Sequence, residues 1–167
     1  ERLGSYTHGK NIFFAGLLSH DRASTRTSTR KPSQFLSRSS NEGFARMVAA
    51  AFAAQLDPTL DELGDIKTAV SEAVTNAIVH GYRGEDGRRR EVLLELCCYK
   101  DRTLLIRVTD RGRGIEDVEK AMEPFFTTDR EGERSGMGLP IMNAFSDSMR
   151  IVSRPGFTRV TMRKKLP

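Results

Sequence analysis

Residues 66–82 read IKTAVSEAVTNAIVHGY. The apolar positions Ile66, Val70, Ala73, Val74, Ala77 and Ile78 recur at intervals of three and four, so the spacing predicts a helix with one face in a core. Glu72 and Asn76 fall four apart on that helix, which stacks a carboxylate beside a carboxamide close to the apolar face. Packing requires neither. In an arbitrary helix both would be solvated or locally satisfied, and it is the segments downstream that argue for their use.

Working outward, Thr59 with Glu62 three residues on forms a capping-box pattern at the start of this helix, and Asp57-Pro58-Thr59 separates it from an earlier one. That earlier helix takes its cap from Ser39, Ser40 or Asn41 and runs through Phe44, Val48, Ala51, Phe52 and Leu56. A short strand over residues 34–37 precedes it. Beyond His80, Gly81 and Tyr82, a polar turn at 83–90 leads into EVLLELCCY and TLLIRVTD, two alternating runs joined by Lys100-Asp101-Arg102, which read as a β-hairpin. A short helix at about 116–122, an irregular stretch at 123–136 and a helix at about 137–145 follow. The chain closes on a second hairpin turned at Pro155-Gly156. Strands gathered on one side of a few helices predict a two-layer α/β (α+β) sandwich, with a mixed, mainly antiparallel sheet covered on one face.

With 167 residues, 38% hydrophobic and 29% charged, the chain suits one domain that buries a core without metals or disulfides. That domain is expected over residues 34–167. Residues 1–33 are rich in Ser, Thr and Arg and read as a disordered or non-native tail. Residues 11–18, NIFFAGLL, are too short for a membrane span, which needs roughly 18 apolar residues, and make a poor secretory signal. No membrane association is expected. The formal charge of +5 invites a nucleic-acid reading, yet there is no Trp and there are three Tyr, too few aromatics for a stacking surface. Direct nucleic-acid binding is therefore not expected, and a nucleoside triphosphate or an acidic protein accounts for the charge equally well. Cys97 and Cys98 are adjacent on a predicted strand and point to opposite faces, so a bridge between them is not expected and a reducing, cytoplasmic location is. No metal-ligand spacing of Cys or His occurs.

Two glycine-rich segments carry the chemistry. Asp110 closes a strand and is followed by Arg111-Gly112-Arg113-Gly114-Ile115, fixing a carboxylate beside backbone that a ligand can approach closely. Such a carboxylate accepts a hydrogen bond from an exocyclic amino group like adenine N6 and repels guanine, which has an oxygen there. Arg134-Ser135-Gly136-Met137-Gly138 leads straight into the apolar-periodic Leu139, Ile141, Met142 and Phe145, an arrangement that offers free backbone N–H groups to phosphate. Asn76 can supply one oxygen to Mg²⁺, with the remaining ligands coming from phosphate and water, and Glu72 is left for proton transfer. Thr127, Thr128 and the residues up to Arg134 read as a lid over phosphates.

The helix and the two glycine segments, in this order, resemble the nucleotide-binding boxes of the gyrase, Hsp90, histidine kinase and MutL superfamily. NEGFAR, AAFAAQLDPTLDEL, IKTAVSEAVTNAIVHGY, PFFTT and ERSGMG extend the likeness from about Phe35 to Lys165, and it is closest to the SpoIIAB-like family of sporulation anti-sigma factors. That resemblance implies a Bergerat-type ATP-binding fold and an ATP-dependent serine kinase that phosphorylates an anti-anti-sigma factor and inhibits a sigma F-like factor, with ATP or ADP and Mg²⁺ as its cofactors. It implies Glu72 as catalytic base, Asn76 as Mg²⁺ ligand and Asp110 as adenine reader. Gly112, Gly114 and Ile115 would line the base pocket, and Arg134, Ser135, Gly136, Met137 and Gly138 would form the phosphate-binding end of the lid. Thr158 would back the adenine, Arg46 would contact protein partners, and a homodimer is implied. The family usually has Gly directly before that threonine, whereas Phe157 stands here. A stress-response anti-sigma kinase, a histidine kinase catalytic domain and a non-catalytic sigma-binding module are the alternative readings; a phosphoacceptor His on an upstream helical hairpin, which the histidine kinase reading requires, is not evident.

Overall fold

The structure, a computed structural model, describes residues 13–14, 29–36, 40–82, 90–126 and 136–167. Its elements in chain order are β1 (Phe13–Phe14), β2 (Thr29–Leu36), α1 (Ser40–Ala53), α2 (Leu60–Asn76), β3 (Glu91–Cys98), β4 (Thr103–Asp110), α3 (Val118–Ala121), α4 (Gly138–Ala144), β5 (Ser148–Arg154) and β6 (Phe157–Lys165). A short 3-10 turn, Ala54–Leu56, ends α1, and a π-helical turn, Ala77–Gly81, continues α2.

The break between α1 and α2 follows the sequence closely. Asp57 adopts a left-handed conformation at φ 46, and the Arg102 guanidinium donates to the Leu56 carbonyl at 2.8 Å, which satisfies a carbonyl the helix end leaves open. Thr59 then caps α2: its hydroxyl accepts from the Glu62 N–H at 3.2 Å while the Glu62 carboxylate accepts from the Thr59 N–H at 2.8 Å. The capping box is complete, and α1 and α2 pack antiparallel.

The sheet order is β1-β2-β3-β4-β6-β5. Helices cover one face, as the two-layer expectation has it, but all five strand pairings are antiparallel, so the expected mixed character is absent among the described strands. Connectivity explains this. Two helices, out and back, separate β2 from β3, while β6 lies between β4 and β5, so strands running the same way are never neighbours. The core joins Ile66, Val70, Ala73 and Val74 of α2 to Val92, Leu94 and Leu96 of β3, Leu104, Ile106 and Val108 of β4, and Val160 and Met162 of β6. These are the period-four residues of the helix and the alternate residues of three central strands.

The second strand differs from expectation in length. β2 begins at Thr29 rather than near Gln34, and its full pairing from Thr29↔Cys98 to Leu36↔Glu91 is set by β3. A Ser, Thr and Arg-rich segment with no period of its own becomes a strand because a neighbouring strand supplies its hydrogen-bond partners. Within the described residues no helix is long and apolar enough to cross a membrane.

Candidate functional site

A cavity of about 710 Å³ opens between α2, the ends of β4 and β6, α3 and the start of α4, a volume suited to a nucleotide-sized ligand. Its lining includes Glu72, Asn76, Asp110, Gly114, Ile115, Gly136, Met137, Gly138 and Thr158. Nine of the residues singled out from sequence therefore converge on one space.

At one end, Glu72 and Asn76 meet the first turn of α4. A methyl group at Gly138 would stand 2.9 Å from Glu72 Oε2 and 3.1 Å from Asn76 Nδ2, so a residue with no side chain is what lets α4 come down onto the polar pair. The carboxylate and carboxamide thus face the backbone of the second glycine segment directly.

At the other end, Asp110 is the last residue of β4 and is 4% exposed. Its Oδ1 accepts the Gly112 N–H at 3.0 Å, which turns the chain sharply after the strand. The π-helical end of α2 closes on the same turn: the Arg113 N–H donates to the Gly81 carbonyl at 2.8 Å, and a methyl group at Gly112 would overlap that carbonyl oxygen at 1.8 Å. Gly112 does not line the cavity itself. Its place is the contact that fixes Asp110's loop against α2.

Thr158 is paired in register with Asp110 across β4 and β6 and is 7% exposed. The Phe157 departure has not displaced it, because Phe157 turns to the opposite sheet face. Behind it, Thr158 Oγ1 lies 3.1 Å from Ser153 Oγ, and the Ser153 hydroxyl accepts the Ile115 N–H at 2.7 Å. Two strands and the loop after Asp110 are tied together through these hydroxyls.

Thr127, Thr128, Arg134 and Ser135, and with them the expected lid, lie outside the described residues. The two ends of that segment are in contact, since a methyl group at Gly136 would approach the Phe125 carbonyl carbon at 2.6 Å. Arg46 is not in the cavity. It sits on α1, with Nη1 3.1 Å from Glu42 Oε1 and 3.3 Å from Ser71 Oγ of α2.

Sequence reasoning missed three supporting residues. Gly81 faces the Asp110 carboxylate, where a methyl group would stand 2.8 Å from Oδ1. Ser153 bridges Ile115 and Thr158. The Tyr82 hydroxyl accepts from the backbone N–H groups of Arg111 and Glu91, each at 3.1 Å, and donates to the Glu91 carbonyl. Burial raises the Tyr82 pKa, against the pull of these two N–H donors. The HGY ending of the first box was the available signal for Gly81 and Tyr82; Ser153 gave none.

A two-layer sandwich with a carboxylate at a strand end, a Glu-Asn pair on the facing helix and glycine segments between them defines a nucleotide-binding domain. Residues 37–164 match the histidine kinase-like ATPase domain family, and the chain belongs to that family. It is 50% identical over 133 residues to the anti-sigma F factor of Clostridium botulinum, covering 79% of this chain and 91% of that protein. Against the anti-sigma F factor of Caldanaerobacter subterraneus the identity is 54% over 123 residues, 74% of this chain and 83% of that one. The RsbU and RsbW domains of a Mycobacterium tuberculosis protein share the fold, with a TM-score of 0.58 and 21% identity over 81% of this chain and 32% of that longer one.

Proposed function

We propose that this chain is a cytoplasmic anti-sigma factor that holds a sigma F-like sporulation factor inactive and uses ATP to phosphorylate its anti-anti-sigma factor on serine. The observation that carries the reading is the convergence of Glu72, Asn76 and Asp110 on one cavity, in a chain half identical to anti-sigma F factors over most of its length.

Asp110 reads the base. Its carboxylate, held by the Gly112 N–H, accepts from the amino group of adenine, and Thr158 backs the same pocket with Ile115 and Gly114 along its wall. The triphosphate then runs toward Gly136, Met137 and Gly138, with Arg134, Ser135, Thr127 and Thr128 contributed by the lid. Glu72, at that end, accepts the proton of the attacking serine hydroxyl as its oxygen bonds to the γ-phosphorus and ADP departs.

No group of three or more His, Cys, Asp or Glu that could hold a metal occurs among the described residues, so a metal here needs the nucleotide's own oxygens. Asn76 fits that arrangement as a single amide-oxygen ligand of Mg²⁺, which neutralises phosphate charge. Arg46, whose side chain is 42% exposed on α1, is assigned to partner binding, and the working unit is a homodimer.

Phosphate transfer from ATP to purified anti-anti-sigma protein tests the reading. Transfer to serine, acid-stable and abolished by Glu72→Ala, is the expected result. Full transfer by that variant would remove Glu72 from its role, and acid-labile phosphate on the product would point to a histidine kinase instead.

A further inference from the structure

The sheet face turned away from the helices carries a charge that the nucleotide cavity does not use. Met149, Ile151, Val160 and Met162 of the last hairpin pack toward the core, so strand alternation sends Arg150, Arg154, Arg159 and Arg163 to the opposite face. Arg107 of β4 joins them through its register with Thr161, which is itself paired with Arg150. The sequences of β5 and β6, SMRIVSR and FTRVTMRKK, contain no Asp or Glu. Arg107 bridges to Glu95 at 3.3 Å, whereas Arg150, Arg154, Arg159 and Arg163 make no salt bridge among the described residues.

Part of this cluster is held in place. The guanidinium carbons of Arg154 and Arg159 lie 5.3 and 5.1 Å from the centre of the Phe157 ring, and Arg159 Nε donates to Thr109 Oγ1 at 3.2 Å. Cation–π contact and a side-chain hydrogen bond reduce the entropy lost when such groups engage a ligand. Over β5 the face is open: Arg150 and Arg154 are exposed and Val152, between them, is 42% exposed.

We propose that the outer face of β5 and β6 docks an acidic protein segment, its carboxylates paired with Arg150, Arg154 and Arg159. Charge complementarity selects this occupant. A second copy would present the same cations and be repelled. Single-stranded nucleic acid needs free aromatic faces for stacking, and the one aromatic in this stretch, Phe157, is already engaged by two guanidiniums. Arginine matches carboxylate in a bidentate geometry, which favours an ordered acidic segment over diffuse attraction. The surface is separate from the nucleotide cavity, and the proposal does not depend on what the cavity does.

The test uses a fluorescein-labelled decaglutamate peptide and fluorescence anisotropy on the full chain, with a decauridylate RNA as competitor probe. Arg150→Glu/Arg154→Glu should weaken peptide binding at least tenfold, while Lys67→Glu/Lys100→Glu, the same change of charge elsewhere, should change it less than threefold. Equal losses in the two double variants, or tighter binding of the RNA than of the peptide, overturn the proposal. Should the first variant fail to fold, the arginine Nε–H resonances of the wild type decide: on titration with peptide they shift for Arg150, Arg154 and Arg159, and their staying fixed overturns it.

Discussion

The Tyr82 hydroxyl receives the backbone N–H of Arg111 at 3.1 Å, which anchors the residue following Asp110 to the end of the organising helix. Phenylalanine at 82 would leave that N–H and the Glu91 N–H without their acceptor. Tyr82→Phe should cost about 2 kcal/mol of stability and loosen the loop after Asp110 enough to weaken ATP binding about tenfold. Urea denaturation and calorimetric titration measure the two effects separately, and unaltered ATP affinity would show that the tyrosine serves stability alone.

Asp110→Asn keeps the side chain's size and replaces one oxygen by a donor. An adenine amino group then meets an N–H where it needs an acceptor, and the loss should be about 30- to 100-fold in ATP affinity, the worth of a charge-assisted hydrogen bond. Titration with ATP and GTP is the check. Selectivity for adenine should fall along with affinity, and a variant retaining both would place the base elsewhere.

Two glycine substitutions should separate site from scaffold. Gly138→Ala meets side-chain atoms, Glu72 Oε2 at 2.9 Å among them, which can move aside, and alanine favours the helix by up to about 1 kcal/mol. The melting temperature should therefore hold or rise while phosphate transfer falls at least tenfold. Gly112→Ala meets the Gly81 backbone at 1.8 Å and should destabilise the fold by about 3 kcal/mol or more, since neither backbone segment can yield cheaply. Thermal melts beside transfer assays read both.

Alkaline pH should expose the buried thiol of β3. Burial first, and then the neighbouring Cys97, push the Cys98 thiol up from 9.0 to about 11, so the fold prefers the neutral form. A pKa raised on folding gives stability that is complete below pH 9 and lost as pH climbs toward 11, here on the order of 1–2 kcal/mol. Denaturation midpoints should decline across that interval in the wild type and more shallowly in Cys98→Ala. Identical slopes would assign the decline to other groups, Tyr82 first, whose pKa burial also raises.

Periodicity and punctuation in the sequence determined α1, α2, their capped junction and both hairpins, because each rests on hydrogen bonds and side-chain spacing within a few residues of chain. The same local signals marked Glu72, Asn76, Asp110 and the glycine segments as unusual for their positions. What tertiary structure alone decided is how distant pieces meet. The length of β2 depends on β3, the seating of Thr158 on its register with Asp110, the need for Gly112 on the approach of Gly81, and the arginine face on which residues of β4, β5 and β6 share one side of the sheet. Each of these is a contact between residues far apart in the chain, and such contacts exist only once apolar burial has brought the two layers together.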